Sequence, residues 1–139
     1  WLGQTTGMQV HVGTEGEQML TGHVYVAPSG FHMGVSSMNR IKLDASPPDN
    51  GLRPSVAHLF RSVAAAFGSN AAAILLTGMG ADGAEELKLV RDRGGLTIAQ
   101  DAESSIVHGM PGEAIRMNAA MHVMAPEGIG KYLRSLSAP

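Results

Sequence analysis

One acid enclosed by three glycines is the stretch best suited to chemistry: Gly78-Met79-Gly80-Ala81-Asp82-Gly83. Three kinds of chemistry fit it. The spacing satisfies Gly-x-Gly-x-x-Gly, whose glycines let a backbone approach a pyrophosphate, and Asp101 lies at a suitable distance onward to meet a ribose. Against a dinucleotide, Asp82 falls inside the loop that would hold the pyrophosphate, where a like-charge pair about 4 Å apart costs about 4 kcal/mol at an effective dielectric of about 20. That fingerprint also belongs to the first strand of its domain, and here a long stretch precedes it. Alternatively, Asp82 at N-cap with Glu85 at N3 resembles a capping box, which stabilises a helix by about 1 kcal/mol with no further role. Third, a carboxylate at the mouth of a parallel sheet is placed to hold a catalytic imidazole in the required tautomer and to stabilise the imidazolium. Between the cap and the imidazole-orienting carboxylate, periodicity does not choose.

The other chemistry-bearing residues are less suggestive. His11, His23, His32, His58, His108 and His122 show no metal-ligand spacing, no His-x-x-x-His pair occurs and there is no cysteine, so no metal or other cofactor is expected. Ser29, Ser36, Ser37, Ser55, Ser104 and Ser105 lack the Gly-x-Ser-x-Gly elbow of a presented nucleophile, and Ser55 reads as part of a helix start. The methionines beside apolar runs read as core filler. A formal charge of -2 with no run of Lys or Arg provides no field for a phosphate backbone, so no nucleic-acid partner is expected. No apolar stretch reaches the roughly 18 residues of a membrane span, so membrane insertion is not expected, and the lack of cysteine fits a reducing, cytoplasmic setting. Nothing near Trp1 resembles a signal peptide, and a first residue other than Met marks a cut in a longer chain.

The elements that must position the glycine loop follow from periodicity. With 139 residues and 44% hydrophobic content, a single α/β domain over 1–139 with one core is expected. Ile74, Leu75 and Leu76 after three alanines read as a strand buried on both faces of a parallel sheet, and Glu85 to Arg93 has helical composition, with Ala84, Leu87 and Val90 as its inward face and Gly94-Gly95 as its stop. Leu96 to Ala99 is the next strand, so strand, helix and strand imply a crossover and a parallel pair. Upstream, Met8 to Val12 is a strand, and His23 to Ala27 with Phe31 to Val35 suggest a hairpin across Pro28-Ser29-Gly30. Ile41 to Leu43 adds a strand, and Asp44 to Arg53 is a loop long enough to suspect function. From Pro54 to Phe67, Val56, Leu59, Phe60, Val63, Ala64 and Phe67 mark one apolar helix face, with Pro54 in the first turn and Gly68 as cap. Pro111 to Met117 is a short helix, Met121 to Ala125 a last strand, and Pro126 opens a closing helix.

Five separated blocks carry a family likeness. These are Tyr25-Val26-Ala27-Pro28-x-Gly30-x-His32-Met33, then Pro47-Pro48-x-Asn50-Gly51-x-Arg53-Pro54-Ser55-Val56 with Leu59-Phe60-Arg61-Ser62-Val63-Ala64, then Leu76 to Ala84, then Gly95-x-Thr97-Ile98-Ala99-Gln100-Asp101, then Ser104-Ser105-x-Val107-x-Gly109-Met110-Pro111. Together they closely resemble the catalytic domain of chemotaxis protein-glutamate methylesterases of the CheB type. The resemblance implies a doubly wound α/β domain, a mostly parallel sheet with helices on both faces, to which the spacing around Pro28-Ser29-Gly30 adds a β-hairpin near the N-terminus. It implies hydrolysis of glutamate methyl esters on methyl-accepting chemotaxis receptors, often with glutamine deamidation, by a Ser-His-Asp triad.

By that resemblance the family's aspartate falls on Asp82. Its loop methionine, lining the active-site cleft, falls on Met79, between Gly78 and Gly80, with Gly83 closing the loop. The family's serine and histidine lie in a Gly/Ser/Thr-rich loop and a Gln-His-Met-Pro-like segment, neither of which stands in these residues. The chain therefore reads as the C-terminal portion of such a domain, without the N-terminal receiver domain that usually precedes it. His108 stands where an aromatic is usual, Ala57 where an acid is common, and His122 for a frequent Asp. A non-catalytic adaptor with the same fold, and less so a dinucleotide-binding domain, are the alternative readings.

Overall fold

The structure, a computed structural model, describes residues 7–137, so the reading of Trp1 lies outside it. Strands β1 (Gln9–Val12), β2 (His23–Val26), β3 (His32–Val35) and β4 (Ile41–Asp44) precede helix α1 (Val56–Phe67). A 3-10 turn (Gly68–Asn70), β5 (Ala72–Leu75), α2 (Ala84–Asp92), β6 (Leu96–Gln100), α3 (Met110–Arg116), β7 (His122–Met124) and α4 (Pro126–Ser137) follow. The chain groups into two compact units, one ending at Phe67 and one beginning at Gly68.

In the first unit β1 and β2 run parallel, with Gln9 opposite His23 and His11 opposite Tyr25. The expected hairpin between β2 and β3 is not formed. Pro28 has no N–H to carry a ladder past it, and the end of β2 is engaged by the first segment, Gly13 N–H donating to Val26 O at 2.9 Å. The hairpin instead joins β3 to β4, antiparallel, with His32 opposite Asp44. Its tight turn runs through Asn39 at φ 59, a left-handed conformation that Asn tolerates. Helix α1 packs on β3: the Ser62 hydroxyl accepts the Val35 N–H at 3.0 Å, and a Cβ at Gly34 would meet Ser62 Oγ at 2.9 Å. Its deepest stripe is Ala57, Phe60 and Ala64. Pro54 lies before the helix, not in its first turn, because Ser55 takes the cap: the His58 N–H donates to Ser55 Oγ at 3.0 Å.

The second unit is a three-stranded parallel sheet in the order β5-β6-β7, with Ala72 opposite Leu96 and Ile98 opposite His122. Parallel neighbours require crossovers, and α2 and α3 supply them, both packing on β5 and β6. Ala84, Leu87 and Val90 recur on one face of α2 and are buried, as their spacing predicts. The helix stops where Gly94 N–H donates to Arg91 O and Gly95 N–H to Val90 O, both at 2.9 Å, a Schellman end. Ile98 and Ala99 fill the sheet's centre. All three strands point their carboxyl ends the same way, so the loops after β5 and β6 open at one edge, where sites in such sheets form. This is the α/β architecture with a parallel sheet that the sequence implied.

Leu87 is fully buried, so Leu87→Ala should lower unfolding free energy by about 2–5 kcal/mol. Urea titration checks this, and a loss below about 1 kcal/mol would show that the α2 face is not core.

Candidate functional site

The glycine loop leaves the carboxyl end of β5 and is held from outside. Thr77 N–H donates to the Gln100 side-chain oxygen at 2.7 Å, and Gln100 Nε2 donates to Ser104 O and Oγ, both at 3.1 Å. Gln100 is the last residue of β6 and is buried, so one amide ties the exit of β5 to the loop after β6. The Thr77 hydroxyl donates to Val107 O and accepts the Val107 N–H, each at 2.9 Å. Gly78 N–H donates to Val107 O at 3.0 Å, while Gly78 O accepts from Gly109 and Met110. Gly109 is required by contact: a Cβ there would sit 2.7 Å from Gly78 O and 2.8 Å from Gly80 N. His108 Nε2 lies 3.1 Å from Gln100 O, and because a carbonyl can only accept, that nitrogen carries the proton.

This geometry decides among the readings of the loop. The Gly78 amide is committed to Val107, and Gly80 faces Gly109, so these groups do not line an anion cradle. Asp101, the ribose candidate, accepts the Ser104 N–H at 2.9 Å and the Ser104 hydroxyl, closing its own turn, and these bonds hold its carboxyl below the usual range. The capping box is also corrected. The cap of α2 falls on Gly83 at φ 84, with no side-chain cap hydrogen bond, so helix geometry begins at Ala84. That left-handed turn, favourable only for glycine, shifts the start by one residue and leaves Asp82 in the loop. Glu85 and Glu86 occupy the first turn, where acids favour the helix dipole. Met79 sits at the loop tip, 83% exposed.

A second cluster, in the first unit, brings together a serine, a histidine and an acid. Ser55 Oγ donates to Asp49 Oδ2 at 2.8 Å and lies 3.5 Å from His32 Nδ1, while Arg61 donates to the same Asp49 oxygen at 2.6 Å. His32 Nε2 faces Pro47 O at 3.1 Å and therefore carries its proton there. The order of bonds is wrong for a triad. The hydroxyl donates to the acid instead of to the imidazole, and its lone pair caps α1. Ser55 and His32 are also buried, at 4% and 1% exposure. The cluster pins the 44–53 loop against the start of α1, and the sequence carries no signal for it beyond Ser55 as a helix start.

His32, Asp49 and His58 offer ligand atoms within 4.8 Å of one another. Their geometry does not suit a metal. The two rings stack at 7° with centroids 4.6 Å apart, so their in-plane lone pairs do not converge, and Asp49 Oδ2 is already occupied twice. Burial, then His32, hold the His58 pKa below the ordinary imidazole value; Ser55, then Arg61, hold Asp49 below the ordinary carboxylate value.

An α/β domain with an acid-bearing glycine loop at the carboxyl end of a parallel strand belongs to the class of α/β proteins whose sites open at that sheet edge. Comparison with known proteins gives the family. The family model described as CheB methylesterase matches residues 1–133. The chain is 53% identical over 137 residues to a protein-glutamate methylesterase/protein-glutamine glutaminase of Syntrophus aciditrophicus, covering 99% of this chain and 39% of that protein. It is 46% identical over 133 residues to protein-glutamate methylesterase FrzG of Myxococcus xanthus, covering 96% of this chain and 40% of that one. The crystal structure of the Thermotoga maritima CheB methylesterase catalytic domain superposes with a TM-score of 0.93 at 35% identity, over 97% of this chain and 73% of that one. The chain belongs to the CheB methylesterase family, and it spans about two-fifths of the length of these curated relatives.

Both pKa shifts in the first-unit cluster make stability fall on acidification. A depressed His58 must take up a proton on unfolding as pH drops through the imidazole range, and a depressed Asp49 loses its contribution as pH falls through its folded value. Denaturation midpoints of the wild type should therefore drop in two stages. His58→Gln should remove the first stage and Asp49→Asn should shrink the second, to which the depressed carboxyls of Glu15, Asp44, Asp101 and Glu113 also contribute; midpoints in both variants that track the wild type at every pH would contradict the assignment.

Proposed function

We propose that the protein to which this chain contributes is a protein-glutamate methylesterase acting on methyl-accepting chemotaxis receptors, with Asp82 as the acid of a Ser-His-Asp triad. Asp82 stands in a fixed glycine loop where a parallel sheet opens, in a chain of the CheB methylesterase family; that observation carries the reading. The serine and histidine come from outside these 139 residues, since Ser55 and His32 are committed elsewhere. Met79, exposed at the loop tip, lines the cleft, and Gly78, Gly80 and Gly83 shape the loop. The protein needs no cofactor, is cytoplasmic, and carries an N-terminal receiver domain that regulates it. No helix among the described residues is long and apolar enough to cross a membrane, in keeping with an enzyme that meets receptors at their cytoplasmic helices.

In the reaction Asp82 accepts the Nδ1–H of the histidine, fixing the tautomer in which Nε2 takes the proton of the serine hydroxyl. The serine oxygen attacks the ester carbonyl. The imidazolium formed, stabilised by Asp82, protonates the departing methanol, and water then releases the glutamate from the acyl-enzyme. A glutamine amide follows the same route with ammonia as leaving group. In the complete protein, Asp82→Asn should reduce turnover of methylated receptor by up to about 10⁴-fold. The 139-residue chain alone should release no methanol. Near-normal hydrolysis by the variant would overturn the role of Asp82, and turnover by the chain alone would show that a hydroxyl and imidazole within it suffice.

A further inference from the structure

The parallel pairing of β1 with β2 places His11, His23 and Tyr25 on one face, because side chains two apart on a strand share a side and His11 stands opposite Tyr25. His11 Nε2 and His23 Nδ1 lie 3.5 Å apart. That is at the long limit for a hydrogen bond between ring nitrogens. It is close to the span of two ligands on one metal: at the usual Zn–N distance and a tetrahedral angle, the nitrogens stand about 3.4 Å apart and the ring centroids about 5 Å. The centroids here are 5.5 Å apart and the rings are tilted by 49°, not stacked. Rings tilted in this way leave their lone pairs free to turn onto one ion, which the parallel rings of His32 and His58 do not.

The surroundings already hold His11 in place. Glu17 Oε2 lies 3.4 Å from His11 Nδ1, the far ring nitrogen. The carboxylate is itself anchored, its Oε1 accepting from the Thr14 N–H at 3.0 Å and the Thr14 hydroxyl at 3.1 Å. A carboxylate on the distal nitrogen of an imidazole is the usual outer partner of a metal-bound histidine: it fixes the tautomer and raises ligand basicity. The Tyr25 ring packs against His11 with centroids 4.7 Å apart, and its hydroxyl is engaged, accepting from Leu20 N–H at 2.9 Å and donating to Gln18 O at 3.2 Å. Tyr25 is therefore a wall and not a ligand. We propose that His11 and His23 form a surface site for a divalent late first-row transition metal, Zn²⁺ in the first instance, with Glu17 as the outer carboxylate and water in the remaining positions. Two imidazoles select such ions over Mg²⁺ or Ca²⁺, which take oxygen ligands. A bound ion would clip the two strands of an otherwise exposed ladder. The site is independent of ester hydrolysis.

The test is calorimetric titration of the complete protein with ZnCl₂ in a non-chelating buffer, alongside imidazole ¹⁵N resonances of the wild type. One saturable site is expected, with shifts at His11 Nε2 and His23 Nδ1 and none with MgCl₂. His11→Gln and His23→Gln should each abolish it, Glu17→Gln should weaken it by about 10–100-fold, and His122→Gln should leave it unchanged. No saturable Zn²⁺ binding, or binding whose resonance shifts fall on other histidines, would overturn the proposal; the resonances are read on the wild type, so this outcome is independent of whether any variant folds.

Discussion

The buried amide of Gln100 is the constraint on which the candidate site depends. It receives the Thr77 N–H, two residues beyond the end of β5, and gives its own protons to the 101–104 turn, so the two loops that open at the sheet edge are set by one side chain. Removing it would delete three hydrogen bonds, each contributing about 0.5–1.5 kcal/mol. The glycine loop then follows as a consequence. Gly78 is bonded to Val107 from one side and to Gly109 and Met110 from the other, and only a residue without Cβ fits at 109. Asp82 is presented by a loop with almost no freedom at its base, the preorganisation a charge-orienting group requires.

The histidines show how geometry separates residues of one type. His32 and His58 have the crowding of a metal centre, yet their rings lie face to face and an arginine and a serine hold the nearby acid. Those contacts make a structural knot whose charge balance changes with acid. His11, exposed, and His23, half-buried, look less like a site and have a single carboxylate beside them, yet their nitrogens lie 3.5 Å apart on tilted rings. His108 takes a third role, donating to the last carbonyl of β6 and lying against Gly112 of α3, where a Cβ would fall 2.9 Å from its Nδ1.

Much of the fold was legible because its cause is local. The α2 stripe of Ala84, Leu87 and Val90, the Gly94-Gly95 stop, and the parallel β5 and β6 that a helical crossover demands all follow from periodicity and punctuation. Strand pairing in the first unit was not, since pairing is a long-range choice: nothing near Pro28 says that β2 joins β1 while β3 turns back through Asn39 to β4. The cap of α2 stands one residue later than the Asp82–Glu85 spacing suggests, because Gly83 takes a positive φ that the spacing of side chains does not encode. The role of Asp82 is carried by the blocks of family likeness and not by its spacing, which suits a helix cap and an imidazole-orienting acid alike. Gln100 carries no local sign of its role, apart from being a polar residue at the end of an apolar strand. The Ser55–Asp49–His32 knot and the His11–His23 pair are assembled from positions far apart in sequence, and spacing rules for single helices or loops do not see them.

The central claim is that Asp82 holds an imidazole. Proton NMR of the complete protein, with its histidines ¹⁵N-labelled, reads that contact directly, since an Nδ1–H bonded to a buried carboxylate resonates far downfield and exchanges slowly. One such resonance, present in the wild type and lost in a folded Asp82→Ala variant, is the predicted result. A downfield imidazole proton that persists unshifted in Asp82→Ala would contradict it.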